Sequence, residues 1–328
     1  MFTFNFLPEE GKGETSAKEE AVGANTPAVE DDEVTHPFVL WKESDLESFL
    51  EKRASQEIVY QDIELFPSQE DDSDDDKNSD DDKNSDEDHP LRRVCMEQYE
   101  KEIKPGVYEG GLQVWECSLD LIRYFQKERI GLAKGSSALE LGCGHALPSC
   151  WLLREAIRTH GRTSQEQEQS TTVVFVDYND YVIEDVTLSN IILNTGHLLP
   201  NVKQLAQWID VGAGDWHDMS SHFEGRRFDC IIAAETTYTP QAAKDTAQLL
   251  LRHLTIDAGI GWVASKRYYF GVGGGTDALR EAAQTLQGDE YSLQVETASV
   301  VDSGAGNIRE ILKVTCHRRR DSNTGTAK

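Results

Sequence analysis

Several signals that would assign this chain to a common class are missing. Its six cysteines, Cys95, Cys117, Cys143, Cys150, Cys230 and Cys316, form no Cys-x-x-Cys pair. Neither a metal site nor a disulfide framework is therefore expected, and the thiols read as buried and reduced. Apolar runs stay well short of a membrane span, and the opening Met1-Phe2-Thr3-Phe4-Asn5-Phe6-Leu7 has no basic region of the secretory kind. No membrane partner is expected, and the expected location is intracellular, in cytoplasm and nucleus. Basic side chains are scarce too: 32 lysines and arginines face 59 aspartates and glutamates, for a net charge of −27.

That deficit is uneven. Residues 1–90 carry 28 acidic and 7 basic side chains, a net −21, whereas residues 91–328 carry 31 and 25, a net −6. The larger part shows no basic face for a phosphate backbone, which argues against direct nucleic-acid binding. Much of the acid sits in a near-repeat, Ser73-Asp-Asp-Asp-Lys-Asn78, then Ser79-Asp-Asp-Asp-Lys-Asn84, then Ser85-Asp-Glu-Asp88. Like charges at this density repel and bury nothing, so the run reads as a spacer or as an arm for a basic protein. With 328 residues, 38% of them hydrophobic, the chain allows one large α/β domain. The expected organisation is a largely disordered acidic region over residues 1–90, with a partly ordered segment near 37–66, and a folded domain over 91–328 whose short basic tail begins near 318. Phe2, Phe4 and Phe6 alternate as an edge strand or a docking peptide would, and residues 9–35 look disordered.

What is present begins with Ala138-Leu139-Glu140-Leu141-Gly142-Cys143-Gly144. Apolar residues up to Leu141 read as a buried strand, and Gly142 and Gly144 let the chain turn sharply into a helix opened by Pro148. Strand, glycine turn and helix N-terminus make a nucleotide cradle. A third glycine, required for a dinucleotide, is absent; Leu147 holds its place. Glu140 would repel a pyrophosphate but pair with a cation, which favours S-adenosylmethionine, a sulfonium and ammonium without phosphate, over NAD.

Thr172-Val-Val-Phe-Val-Asp177 predicts a second buried strand, and an acid at its end suits the ribose hydroxyls of an adenosine ligand. Tyr178-Asn179-Asp180 opens the next helix, capped by Asn179 or Asp180, and Val202 to Ile209 predicts a weaker third strand. On the loop Gly214-Asp215-Trp216 a carboxylate and an aromatic could meet an adenine, or Trp216 could simply pack at the surface. Trp115-Glu116 reads either as a ligand wall or as a core tryptophan with a first-turn glutamate favoured by the helix dipole. Phe228 to Glu235 predicts a fourth strand, so Glu235 and Tyr238 fall at the carboxyl end where chemistry occurs in open α/β sheets. Gly259 to Lys266 predicts a fifth strand. The glycines of Tyr268-Tyr-Phe-Gly-Val-Gly-Gly-Gly-Thr276 precede a helix without the Gly-Lys-Ser/Thr of a P-loop. Room for an approaching peptide, or a lid, is the expectation there. Residues 291–301 and 308–316 alternate as a terminal antiparallel pair, and the polar run from Thr159 to Thr171 reads as a surface insertion.

Taken together, Gly106-Val-Tyr-Glu-Gly-Gly-Leu-x-Val-Trp-Glu-Cys117, Leu139-Glu-Leu-Gly-Cys-Gly144, Asp177-Tyr-Asn179, Gly214-Asp-Trp216, Glu235-Thr-x-Tyr238 and Ala264-Ser-Lys-x-x-Tyr-Phe-Gly-Val-Gly-Gly-Gly275 resemble one family. The stretch from about Pro105 to His317 resembles the seven-β-strand S-adenosylmethionine-dependent methyltransferases, and within them the histidine protein methyltransferases that modify a large-subunit ribosomal protein. The resemblance implies an α/β, Rossmann-like seven-stranded sheet, mostly parallel with an antiparallel C-terminal strand, and helices on both faces. It implies that Glu140, Gly142, Gly144 and Asp177 hold the cofactor, with Trp115, Glu116, Tyr178, Asn179, Asp215, Trp216 and Glu235 around it. Glu235 and Tyr238 match the motif beside the acceptor, and one of them is expected to accept the ring N–H of the target histidine. A monomer with a basic ribosomal protein as substrate is implied. Three other readings stay open on sequence: a lysine methyltransferase with Tyr238, Tyr268, Tyr269 and Phe270 around its acceptor, a noncatalytic chaperone of a basic ribosomal protein, and an NAD oxidoreductase.

Overall fold

A computed structural model of the chain describes residues 36–63, 65, 90–95, 103, 107–160, 171–286, 290–302, 304 and 307–319. The expectations for Phe2 to Phe6, for residues 9–35, for the acidic repeat, for most of the polar insertion and for the tail beyond 319 concern residues outside this set.

The amino-terminal part supplies β1 (Val39–Leu40), α1 (Glu43–Ala54) and β2 (Tyr60–Ile63); β3 (Leu91–Val94) follows the acidic run. Then come α2 (Glu116–Lys127), β4 (Ser137–Leu141), α3 (Leu147–His160) and β5 (Thr172–Asp177). Next are α4 (Asp180–Val182), a π-helical turn at Ile183–Thr187 and α5 (Leu188–Thr195). The chain continues through β6 (Ile209–Ala213), α6 (Trp216–His222), β7 (Cys230–Ala234), α7 (Pro240–His253), β8 (Ile260–Lys266), α8 (Thr276–Thr285), β9 (Tyr291–Asp302) and β10 (Ile308–Arg318).

Among the described residues the main sheet runs β1-β6-β5-β4-β7-β8-β10-β9. The strands from β6 to β8 are parallel, and β10 runs antiparallel to β8 and to β9. These seven strands are the expected sheet, and β1 adds an eighth, antiparallel to β6. The central strands are covered on both faces, which is why they read as continuous apolar runs. Alternation sends Ala138, Val173 and Phe175 to one face, under Phe125 of α2 and Leu152 of α3. Leu139, Leu141, Val174 and Val176 go to the other, under Leu250 of α7 and Leu279 of α8.

One element differs from expectation. Val202–Gln207 is a 3₁₀ turn whose Asn201 side chain accepts the Lys203 N–H, and the third strand lies further on, at β6. Glycines disguise it: a side chain at Gly212 would strike the Phe38 ring, which occupies that space from β1. The segment near 37–66, read as a short helix or a partly ordered flap, contains helix α1 and is stitched into the domain. His36 C=O accepts the Asp215 N–H at 2.9 Å. β2 pairs antiparallel with β3, so that Ile63 lies opposite Leu91 in a two-stranded hairpin. Asn190 and Asn194 of α5 fasten that hairpin, accepting the Val94 and Arg92 N–H groups at 2.7 and 2.8 Å.

Candidate functional site

The strand order reverses direction at β4, where β5 lies on one side and β7 on the other. Ligands of open α/β sheets bind at such a point, beyond the carboxyl ends of the strands. A cavity of about 370 Å³ opens there, within the range of small-molecule sites. Five carboxylates line it, Glu109, Asp177, Asp215, Glu235 and Asp245, and no lysine or arginine does among the described residues. Such a wall suits a cation and opposes a phosphate.

The floor is the turn after β4. Gly142 and Gly144 take φ values of +58° and +48°, and Ala146 takes +53°. A side chain at Gly144 would meet the Gly111 carbonyl oxygen at 3.0 Å, so two glycine turns lie back to back. Asp177, at the end of β5, fixes this arrangement: Oδ2 accepts the Gly144 N–H at 2.9 Å and Oδ1 the Asn179 N–H at 3.1 Å. Burial raises the Asp177 pKa to about 6 against the pull of those amides. Trp115, Tyr178 and Trp216 add aromatic walls. Trp115 donates its indole N–H to the Gly110 carbonyl at 3.1 Å, and Asp215 caps α6 by accepting the His217 N–H at 2.7 Å.

At the other end, beyond β7, Glu235 has a φ of +59° and is 9% exposed. Its Oε2 accepts a hydrogen bond from the Tyr269 hydroxyl. Tyr269 in turn accepts from Ser265 at 3.0 Å, and Ser265 accepts from Thr237 at 2.8 Å. The donor sense is fixed because the tyrosine proton points to the carboxylate. Glu235 Oε1 is buried and no N–H or O–H group among the described residues donates to it, while the Cys117 thiol hydrogen-bonds this carboxylate. Burial raises the Glu235 pKa, with Lys266 and the Cys117 thiol pulling it back. Tyr238 donates its hydroxyl to Glu109 Oε2, and burial beside that carboxylate raises the phenol pKa.

Of the residues singled out from sequence, Trp115, Gly142, Gly144, Asp177, Tyr178, Asp215, Trp216, Glu235 and Tyr238 come together around the cavity. Three stand elsewhere. Glu140 does not face the cavity, so the expected pairing with a cationic ligand is corrected. Strand alternation points it beneath α3, where Oε2 accepts the Ser149 N–H at 3.2 Å and burial raises its pKa to about 8. Glu116 is exposed and bonds Arg309 at 3.2 Å outside the cavity. Asn179 is buried behind the wall, where Nδ2 donates to the Val107 carbonyl at 2.9 Å and Oδ1 accepts the Glu109 N–H at 3.4 Å. Its side chain does not cap the following helix; Asp180 accepts the Tyr181 N–H instead.

Sequence reasoning passed over Glu109 and His145, and placed Tyr269 only among the aromatics of a lysine acceptor site, without its bond to Glu235. An acid before the Gly110-Gly111 pair was the available signal for the first. His145 lines the cavity as a structural imidazole: Nδ1 accepts from Asn190 at 3.1 Å, Nε2 donates to the Leu112 carbonyl at 3.1 Å, and burial lowers its pKa to about 4.

A seven-strand sheet of this order and polarity, with an acid-lined cavity over a glycine turn at its switch point, defines the methyltransferase class of α/β proteins. Residues 100–269 match the family described as Lysine methyltransferase, and the chain belongs to that family. It is 34% identical over 224 residues to "Histidine protein methyltransferase 1 homolog" of Dictyostelium discoideum, covering 67% of this chain and 63% of that protein. It is 30% identical over 219 residues to the protein of the same name from Bos taurus, covering 61% of this chain and 54% of the other. The chain thus spans less than two thirds of the length of these curated relatives. Among solved structures, a glycopeptide N-methyltransferase complexed with sinefungin is similar at 10% identity and a TM-score of 0.38, over 61% of this chain and 94% of that one.

Proposed function

We propose that this chain is an S-adenosylmethionine-dependent protein methyltransferase that modifies a ring nitrogen of histidine in a basic large-subunit ribosomal protein, acting as a monomer in cytoplasm and nucleus. The observation that carries the reading is the cavity over the glycine turn, lined by five carboxylates and by no lysine or arginine among the described residues. The names of the relatives support histidine as the acceptor.

Gly142, Gly144, Asp177, Tyr178, Asp215, Trp216 and Trp115 would hold the cofactor, which supplies a methyl group on a positively charged sulfur when bound. An imidazole with a pKa near 6.5 is already a neutral nucleophile at neutral pH, so no strong base is required. The protein must orient the ring and accept the hydrogen of the nitrogen that does not react. Glu235 is suited to this because Oε2 is held by Tyr269 while no N–H or O–H group among the described residues donates to Oε1. Its charge also steadies the imidazolium as it forms. Tyr238 is the alternative acceptor, since its own proton is committed to Glu109 and its oxygen lone pairs remain.

The test supplies the protein with labelled S-adenosylmethionine and basic proteins stripped from large ribosomal subunits, then locates the modified residue by mass spectrometry. Methyl on a histidine ring is expected. A second reading, a lysine acceptor, is favoured by the family's description. Label on a lysine side chain would establish it, and no label would overturn both.

A further inference from the structure

The glycine-rich run after β8 is the one long motif that the cofactor and the acceptor chemistry leave unexplained. Gly271 and Gly273 have room beside them, whereas Gly274 and Gly275 do not. A side chain at Gly274 would run into the backbone of Thr237 and Tyr238, and the Gly275 N–H donates to the Thr237 carbonyl at 2.7 Å. The loop also bonds to itself: Tyr269 N–H donates to the Gly274 carbonyl at 3.1 Å, and Gly273 N–H to the Tyr269 carbonyl at 2.9 Å. The run is therefore a braced platform pressed against the segment that carries Tyr238.

The platform has an inside and an outside. Tyr269 is 3% exposed, lines the cavity and donates to Glu235. Its neighbours Tyr268 and Phe270 are 48% and 77% exposed, with ring centroids 5.3 Å apart in an edge-on arrangement. Val107, 62% exposed, stands two residues from Glu109, the partner of Tyr238. Thus three of the seven exposed large apolar side chains among the described residues lie within two positions of a cavity-lining residue. Val107 belongs to the segment whose Glu109 accepts from Tyr238, and Tyr268 and Phe270 belong to the loop braced against the Thr237–Tyr238 backbone. Exposed apolar groups concentrated at the rim of an acid-lined cavity fit a protein segment with apolar and cationic groups.

We infer that Phe270 and Tyr268, with Val107 from the opposite segment, form the docking surface for the acceptor segment of the protein substrate. That segment carries a bulky apolar side chain next to its acceptor residue and basic residues that face Glu109 and Asp245. The inference rests on the proposed methyl transfer to protein. Because Tyr269 shares its backbone with both exposed rings, docking on the outside sets the position of Glu235 on the inside.

The experiment measures KM and kcat for methylation of the large-subunit protein fraction by the full chain and by the variants Phe270→Ser and Tyr268→Ser. Val300→Ser, which removes an exposed apolar group on β9 away from the cavity, is the control. The expected result for Phe270→Ser is a KM raised about tenfold, with S-adenosylhomocysteine affinity unchanged by calorimetry and Val300→Ser like the parent. A KM unaltered in both loop variants, beside an active parent, overturns the docking surface alone. An equal rise in Val300→Ser overturns it as well. A parent that methylates no protein overturns the functional reading, and the docking surface with it.

Discussion

Around the glycine turn the cavity wall is fixed by main-chain groups, whereas around Glu235 it is fixed by side chains bonded to side chains. The first end consists of two glycine turns in van der Waals contact and a carboxylate that accepts two backbone N–H groups. The second is a relay from Thr237 through Ser265 and Tyr269 to Glu235, beside the separate pair of Tyr238 and Glu109. Main-chain groups offer one geometry whatever ligand arrives. A side-chain relay can be tuned one residue at a time, which suits the end where the acceptor is chosen.

If this contrast holds, damage to the first end should abolish binding, and damage to the second should slow transfer while binding survives. The largest effect is expected for Gly144→Val, where a branched side chain meets the Gly111 backbone at a φ of +48°. S-adenosylhomocysteine affinity measured by calorimetry should fall at least about a thousandfold, by some 4 kcal/mol or more. Binding within tenfold of the parent would show that the turns are not rigid.

Glu140 tests the same end through stability. Its folded pKa is raised to about 8, whereas the unfolded carboxyl titrates near 4.3. The folded chain therefore holds a proton that the unfolded chain releases, and stability falls as pH rises between those values. Glu140→Gln removes the titration. Denaturant midpoints should flatten between about pH 5 and 8, with a gain on the order of a few kcal/mol at the upper end. A slope equal to the parent's would mean that Glu140 is already ionised in the folded chain.

At the second end, Glu235→Gln should lower kcat about a hundredfold with cofactor affinity within a few-fold. Loss of both together would place Glu235 with the cofactor and erase the division. The smallest effect is expected for Tyr269→Phe, which removes a donor to the carboxylate. Fewer donors favour the protonated form, so the acidic limb of the pH–rate profile should move to higher pH, with kcat down about tenfold. An unmoved limb would show that the relay does not act on Glu235.

The same division explains what was legible in the sequence. Gly142, Gly144 and Asp177 were readable because a backbone-built site needs particular φ values and particular strand ends, and both leave local marks. Strands β4, β5, β7 and β8 were readable for the same reason, as short apolar runs bounded by turns. Glu109, and the bond from Tyr269 to Glu235, were not, because these contacts reach across 129 and 34 residues. Glu140 misled through its nearness to the turn: alternation along β4 carries it to the opposite face from Leu139 and Leu141. The third strand was missed because Gly212 and Gly214 look unlike sheet until Phe38, far off in sequence, is seen to fill the space above them.

The register of Ile63 against Leu91 has a consequence for the acidic repeat. The pairing brings the flanks of that insert to one anchorage, and the entropy of closing a loop grows only with the logarithm of its length, about 0.6 kcal/mol for each doubling. A change in the number of Ser-Asp-Asp-Asp-Lys-Asn units should therefore cost the folded body little.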